Sequence, residues 1–133
     1  MHLIEFAPKG DDHGWLIALE NLQEIPFEIK RVYYIYGTQP GTRRGKHAHR
    51  ALRQLAVCLK GSCRFYMNDG RDQHEFLLNR NDRGLLIEPM VWHEMDEFSD
   101  DCILLVLASG AYDESDYIRV YSEFAALIAA SGS

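Results

Sequence analysis

Hydrophobic and polar residues alternate in short segments along most of the chain, and turn-forming residues interrupt them about every ten positions. The turn signals lie at residues 9–12, 37–41, 60–61, 68–70 and 79–82. Between them are segments rich in β-branched, aromatic and aliphatic residues, at 15–19, 31–36, 54–59, 63–67, 75–78, 84–87 and 102–108. Short segments with such regular punctuation predict an all-β fold, a sandwich or a barrel of antiparallel strands.

The C-terminal tail has a different period. Between residues 113 and 130, apolar side chains recur every three or four positions, at Tyr117, Tyr121, Phe124, Ala125 and Ile128. This spacing predicts an amphipathic α-helix. The acidic residues among 113–116 suit a helix start, and Gly132 lies beyond the helix end. We expect the helix to pack on the outside of the barrel.

Length and charge limit the classes of function. No repeat or linker divides the 133 residues, so we expect one domain over 1–133. The net charge of -6 disfavours nucleic acid and anionic membranes as partners, because both require a basic surface. No apolar run approaches the ~20 residues that cross a bilayer, and residues 1–5 lack the pattern of a secretion signal.

The three cysteines, Cys58, Cys63 and Cys102, form neither a CxxC pair nor an even set for disulfides. Cys58 and Cys102 lie in apolar runs, where a cysteine is usually a small buried thiol. This usage indicates a reducing compartment. We therefore predict a cytoplasmic protein without a redox role.

Two histidines, His47 and His49, are one residue apart in a polar segment. On a strand both imidazoles point to the same face, because strand side chains alternate. Such a pair is suited to holding a metal or to moving protons. The neighbouring cations Arg44 and Lys46 lower the histidine pKa, which keeps an imidazole neutral and able to accept a proton at pH 7.

The segment 31–36 is a second candidate for chemistry. Alternation places Arg31, Tyr33 and Ile35 on one face of its strand. A tyrosine hydroxyl beside a pair of histidines can donate or accept a proton. Arginines such as Arg31 and Arg44 can bind phosphate oxygens in a bidentate manner.

From Gly45 to Gly61 the sequence has the form G-x-H-x-H-x4-Q-x6-G, and residues 89–93 read Pro-Met-Val-Trp-His. These segments resemble the two motifs of the cupin superfamily, small jelly-roll barrels whose metal-binding members use three histidines and a carboxylate. Here Gln54 occupies the carboxylate position. A neutral amide is the poorer ligand for a divalent cation, so we expect no tight metal site, although three histidines, including His93, could still hold zinc.

Over nearly its whole length the chain is similar to one cupin group, the sugar 3,4-ketoisomerases that act on dTDP-4-keto-6-deoxyglucose. The similarity is carried by Gly14, by 16–20, 25–27, 29–35, 44–49, 69–70, 92–95 and 106–109, and by the tail 112–121. The resemblance implies a homodimer that needs no metal and no cofactor, with an active site inside each barrel. It also implies that His47 is the main acid/base residue, with His49 and Tyr33 nearby.

The reaction that the resemblance implies moves a carbonyl from C4 to C3 of the sugar through an enediol. No hydride leaves the substrate, which agrees with the lack of a GxGxxG motif. We expect His47 to be the base at C3, His49 to orient it or polarise the carbonyl, and Tyr33 to deliver a proton or stabilise an oxygen. The candidate contacts to the substrate are Arg44, Arg31, Gln54, Trp92, His93 and His13.

The chain differs from its family at two positions that bear on the product and on the chemistry. The pair His13-Gly14 is similar to the basic residue and glycine of the galacto-forming ketoisomerases, which favours the galacto product. Lys46 replaces an aromatic residue of the family but should point away from the histidines.

Three alternatives to this function remain: a nucleotide-sugar epimerase, a metal-dependent cupin enzyme and a non-catalytic sugar-nucleotide-binding domain. The pathway implied leads to an aminated deoxysugar of a surface polysaccharide.

Overall fold

The computed structural model describes residues 1–132, and two five-stranded antiparallel sheets make up most of it. The strands are β1 (His2–Glu5), β2 (Lys9–Asp11), β3 (Gly14–Leu16), β4 (Arg31–Tyr36), β5 (Arg44–His49), β6 (Gln54–Lys60), β7 (Cys63–Asn68), β8 (Gln73–Leu78), β9 (Arg83–Ile87), β10 (Trp92–Asp96), β11 (Ile103–Ala108) and β12 (Tyr117–Ile118). A 3-10 helix (Glu114–Asp116) precedes β12, and one α-helix, α1 (Tyr121–Ser131), follows it.

The two sheets enclose a single main core. The first sheet has the strand order β1-β9-β6-β11-β4, and the second has the order β12-β5-β10-β7-β8. Leu85 and Leu104 of the first sheet and Phe65 and Met67 of the second are at most 1% exposed and belong to one apolar cluster. The all-β fold of short antiparallel strands that the sequence predicts is therefore confirmed.

The strand β4 shows the predicted alternation. Arg31, Tyr33 and Ile35 are half-buried and face the interior, whereas the residues between them are exposed. The outer face of β4, the last strand of its sheet, presents three large side chains to solvent, those of Val32, Tyr34 and Tyr36.

Two segments cover the outside of the sheets. Ile25 and Phe27 are buried against Leu55 and Val57 on the outer face of the first sheet. On the second sheet, Phe124 of α1 is fully buried against an apolar cluster that includes Trp92. Among residues 1–132, no helix is long and apolar enough to cross a membrane.

The predicted start of the C-terminal helix was wrong. Residues 113–120 form the 3-10 turn and β12 instead of α-helix, and α1 begins at Tyr121. The reason is a tertiary contact: Tyr117 and Ile118 pair with His49 and Ala48 on the edge of β5. Their backbone groups therefore form hydrogen bonds of the sheet instead of a helix. Asp113 caps the 3-10 turn, because its side chain accepts the amide of Ser115.

Candidate active site

One end of the barrel opens into a cleft of about 550 Å³. Its walls come from β4, from the turn after β5 and from residues 109–117, and they include Arg31, His49, Tyr112, Asp116 and Tyr117. The cleft therefore joins interior residues of both sheets to the segment that precedes α1.

A β-bulge in β5 brings the predicted histidines into register with β10. Gly45 and Lys46 together oppose Glu94, and both have a positive φ, of 82° and 60°. A Cβ on Gly45 would lie 2.9 Å from the carbonyl oxygen of His93, so a glycine is required there. Beyond the bulge, His47 lies directly opposite His93.

Three imidazoles form a compact cluster. The ring centroids of His47 and His93 are 4.5 Å apart, and those of His47 and His49 are 4.9 Å apart. His49 and His93 are each only 2% exposed, whereas His47 is half-buried. The predicted shared face of His47 and His49 is confirmed, and His47 is the member of the cluster most open to solvent.

Burial keeps these histidines neutral at pH 7. Loss of hydration, with a smaller effect of His49, lowers the pKa of His47 to about 4. Burial and the two neighbouring imidazoles lower the pKa of His93 to about 3. Burial also lowers the pKa of His49, against the opposing charge of Asp116. Each ring can therefore accept a proton.

Asp116 fixes the orientation of His49. Its carboxylate lies 3.3 Å from Nδ1 of His49 and accepts the backbone amides of Ala51 and Leu52 at 2.8 and 3.2 Å. This arrangement places the Nδ1 proton toward Asp116 and leaves Nε2 as the basic nitrogen. Within residues 1–132, Nε2 of His49 has no hydrogen-bond partner.

Tyr117 completes the aromatic wall beside the histidines. Its ring centroid lies 4.3 Å from that of His49 and 4.8 Å from that of His47. Its other side is covered by Arg119, whose guanidinium carbon lies 4.2 Å from the ring centroid. Glu114 holds Arg119 through two hydrogen bonds of 2.7 and 2.9 Å.

Tyr33 and Gln54 form a pair on the first sheet. Nε2 of Gln54 donates to the hydroxyl oxygen of Tyr33 at 2.8 Å, which leaves the phenolic proton free for donation to another group. Burial raises the pKa of Tyr33, opposed by the Gln54 hydrogen bond and by the charges of Arg31 and Arg44. Tyr33 is therefore a neutral phenol at pH 7.

Arg31 places a positive charge in the cleft. Its guanidinium carbon lies 4.6 Å from the ring centroid of Tyr33 and 5.5 Å from that of Tyr112. These two aromatic rings hold the side chain over the opening. An arginine held in this way suits an anionic group of a ligand.

Of the predicted site residues, Arg31 and His49 line the cleft itself. His47 contacts His49 and Tyr117 of the cleft wall, and Tyr33 and His93 line a small internal cavity.

The other predicted contact residues lie outside the cleft. The side chain of Trp92 packs against Tyr121 and Phe124 on the helix side of its sheet, and its indole donates to Glu94. His13 is 94% exposed at the turn between β2 and β3, strands that pair only with each other in the described chain. Arg44 is exposed at the start of β5. Gln54 is buried and contacts Tyr33, so it acts on the site through that residue.

Sequence reasoning missed Asp116, Tyr117 and Tyr112 as site residues. Asp116 and Tyr117 were predicted to lie in the first turns of a helix on the outside of the barrel, and Tyr112 directly before that helix, so none of them was expected near the histidines. A signal was present nonetheless, because the tail 112–121 is one of the segments that carry the resemblance to the ketoisomerases.

The histidine cluster also has the composition of a metal site. One nitrogen of each of the three histidines lies within 4.8 Å of the others. Nδ1 of His49 faces Asp116 and Nδ1 of His93 lies 3.3 Å from the carbonyl of Val91, which directs both Nε2 atoms away from those partners. The carboxylate that would offset a divalent charge is replaced by Gln54, whose amide is engaged with Tyr33. The donor set fits a weak site of three neutral ligands at most.

Known proteins are similar to this chain in sequence and in fold. The family model described as "FdtA: WxcM-like, C-terminal" matches residues 1–129. The TDP-4-oxo-6-deoxy-alpha-D-glucose-3,4-oxoisomerase of Aneurinibacillus thermoaerophilus is 50% identical over 127 residues, which cover 96% of this chain and 91% of the relative.

Two solved structures are similar throughout. A 3,4-ketoisomerase from Helicobacter canadensis is 50% identical, with a TM-score of 0.93 and 96% of each chain covered. QdtA, a sugar 3,4-ketoisomerase from Thermoanaerobacterium thermosaccharolyticum solved with TDP, is 41% identical, with a TM-score of 0.95, and the match covers 98% of this chain and 95% of that one. The chain therefore belongs to the FdtA family of sugar 3,4-ketoisomerases, isomerases built on the cupin barrel.

Proposed function

We propose that this protein converts TDP-4-keto-6-deoxyglucose into the corresponding 3-keto sugar by moving protons through an enediol. The observation that carries the proposal is the cluster of three neutral imidazoles, one of which, His49, lines the cleft with Arg31. Another, His93, lines a small internal cavity together with the neutral phenol Tyr33. The relatives support the substrate: one is named for TDP-4-oxo-6-deoxyglucose. A histidine-to-asparagine variant of QdtA was crystallised with TDP-4-keto-6-deoxyglucose.

His47 is the base in this proposal. The C4 ketone acidifies the hydrogen on C3, and a neutral imidazole can remove that hydrogen. His47 is the most accessible of the three rings, and its lowered pKa keeps it unprotonated over the physiological range. The protonated His47 then returns a proton to C4, which completes the shift of the carbonyl without any external electron donor or acceptor.

The groups around His47 exchange protons with the oxygens of the enediol and stabilise their charge. Tyr33 has a free hydroxyl proton because it accepts from Gln54, so it can donate to an enediolate oxygen. Nε2 of His49, oriented by Asp116, accepts and returns the proton that passes between O3 and O4. Arg31, which lines the cleft, pairs with the diphosphate.

We also propose that the reaction needs no metal. The replacement of the usual carboxylate by Gln54 and its engagement with Tyr33 support this, because the residue that would bind an ion instead positions a proton donor. The galacto configuration at C4 is the product that the pair His13-Gly14 favours. The product would supply an aminotransferase that makes an aminated deoxysugar.

A homodimer is the proposed assembly. The outer face of the edge strand β4 presents Val32, Tyr34 and Tyr36, each more than half exposed. The hairpin of β2 and β3 adds Trp15, which is 72% exposed. A second copy that covers these groups would remove a large apolar surface from water, and could also place the projecting His13 near a partner's cleft.

Incubation of the purified protein with TDP-4-keto-6-deoxyglucose, followed by proton NMR, tests the function. The proposal predicts a 3-keto product whose small H4–H5 coupling shows the galacto configuration; a large coupling would show the gluco configuration and refute that detail alone. Exchange of solvent deuterium into an unmoved 4-keto sugar would indicate an epimerase instead. Unchanged substrate would indicate a binding domain.

A further inference from the structure

The three cysteines of the chain meet at the end of the barrel opposite the histidines. Cys58 lies near the end of β6, Cys63 begins β7, and Cys102 immediately precedes β11. Gln54 and Cys58 are four residues apart on β6, which corresponds to roughly 13 Å along the strand. All three side chains are at most 3% exposed.

We infer that these three cysteines form a structural binding site for a thiophilic metal ion of the zinc type. The three Sγ atoms lie within 4.8 Å of one another, and those of Cys58 and Cys102 are 3.8 Å apart. Zinc–thiolate bonds of about 2.3 Å in a tetrahedral centre place two sulfurs about 3.8 Å apart. The observed separation therefore suits two ligands of one ion, and Sγ of Cys63, within 4.8 Å of both, is the third.

The surroundings supply the other requirements of such a site. Sγ of Cys58 donates a hydrogen bond to the carbonyl oxygen of Lys60 at 3.2 Å, so an oxygen already lies beside this sulfur. A shallow cleft of about 360 Å³ reaches Cys58 between residues 58–61 and 79–82, and it gives an ion a route from solvent. Binding releases the three thiol protons to solvent, and the three thiolates with Zn²⁺ leave a single net negative charge, which is far less costly to bury than three free thiolates.

The site would join the two sheets. Cys58 belongs to the first sheet and Cys102 directly precedes a strand of that sheet, whereas Cys63 belongs to the second sheet. Only a short turn at Gly61 connects β6 to β7. An ion held by all three binds the folded state and not the separated strands. Bound zinc should therefore raise the thermal midpoint of unfolding and leave the ketoisomerase rate unchanged.

The first test uses the reduced wild-type protein, stripped with a chelator and reloaded with zinc. X-ray absorption at the zinc edge should show sulfur neighbours at about 2.3 Å. A shell of nitrogen and oxygen alone would place the zinc at the histidines and overturn the inference, as would a failure to retain one zinc per chain against a competing chromophoric chelator. This measurement needs no variant.

The second test separates the two clusters. The control variant His93→Gln should keep the sulfur shell, whereas Cys63→Ala should lose it. Zinc at about 100 times its dissociation constant should raise the melting midpoint of the wild type and of His93→Gln by roughly 5–10 °C. An unchanged midpoint in the wild type, or the same rise in a folded Cys63→Ala protein, would contradict the inference.

Discussion

Replacement of Asp116 by asparagine tests how the site orients its histidines. The carboxylate accepts from the amides of Ala51 and Leu52 and faces Nδ1 of His49. An asparagine side chain would keep one acceptor oxygen but would have an NH2 group in place of the second carboxylate oxygen. That amide can donate to Nδ1 of His49, which would move the ring proton to Nε2, the nitrogen that the proposed chemistry uses as a base.

The expected loss follows from the contacts. A hydrogen bond to a charged group contributes about 1.5–3 kcal/mol. If that contribution holds the productive form of His49, its loss slows turnover by about 10–150-fold. The free energy of unfolding should also fall, by about 1–3 kcal/mol, because one of the two backbone amides loses a charged acceptor.

Two measurements separate orientation from stability. Turnover is followed by NMR at saturating substrate, and the ring nitrogens of His49 are followed by two-bond 1H–15N correlation, which distinguishes the two neutral forms. The control is Asp69→Asn, because Asp69 accepts two backbone amides, those of Arg71 and Asp72, in an exposed turn. It should change neither the rate nor the spectrum of His49. An Asp116→Asn protein with turnover within twofold of wild type and an unchanged His49 signal would refute the reasoning.

Three further changes probe other parts of the site. Gln54→Glu restores the carboxylate of the metal-binding cupins. A titration with Zn²⁺ should therefore show binding at the histidines that is tighter by tenfold or more. Equal affinity in the variant and the wild type would contradict our interpretation of Gln54. The pKa of His93, about 3, lies below its ordinary value of 6.5, so the unfolded chain binds the proton first and stability falls as the pH drops below about 6.5. Denaturant titrations at pH 6 and 5 should show that His93→Gln removes roughly 1 kcal/mol of this loss per pH unit. Trp92→Phe should lower the free energy of unfolding by about 1–3 kcal/mol and leave KM unchanged, because the indole packs on α1. A raised KM in a stable variant would show instead that Trp92 contacts the substrate.

The sequence predicted the elements whose pattern is local. Alternation in β4 depends only on the pleat of a strand, and the structure confirms which of its residues face inward. The pair His47 and His49 follows the same rule. Motif spacing also brought His93 into consideration, and pairing of β10 with β5 places it opposite His47.

The sequence could not show what depends on pairing between distant segments. Residues 113–120 have the spacing of a helix, but the free edge of β5 draws Tyr117 and Ile118 into a strand. That pairing is what carries Asp116 to His49, so the error in the helix start hid a site residue. The direction of Trp92 was missed for a related reason: adjacent residues of β10 face opposite sides, and only the placement of α1 shows which side holds a packed helix.

The cysteines illustrate the same limit. Their spacings of five and 39 residues match no metal motif, so the sequence indicated isolated buried thiols. The cluster exists because the first residue of β7 and the start of β11 meet beside β6. Contacts between strands that lie far apart in sequence cannot be derived from residue spacing.

The most direct test of the proposed proton transfer uses a substrate that carries deuterium at C3, with protein stripped of metal by a chelator. We expect the wild type to remove the label from C3 and form the 3-keto sugar at the same rate as untreated protein. A folded His47→Asn protein should retain the label and react about 10²–10⁴-fold more slowly. Full turnover by His47→Asn, or a wild-type activity that returns only when a divalent metal is added, would contradict the account.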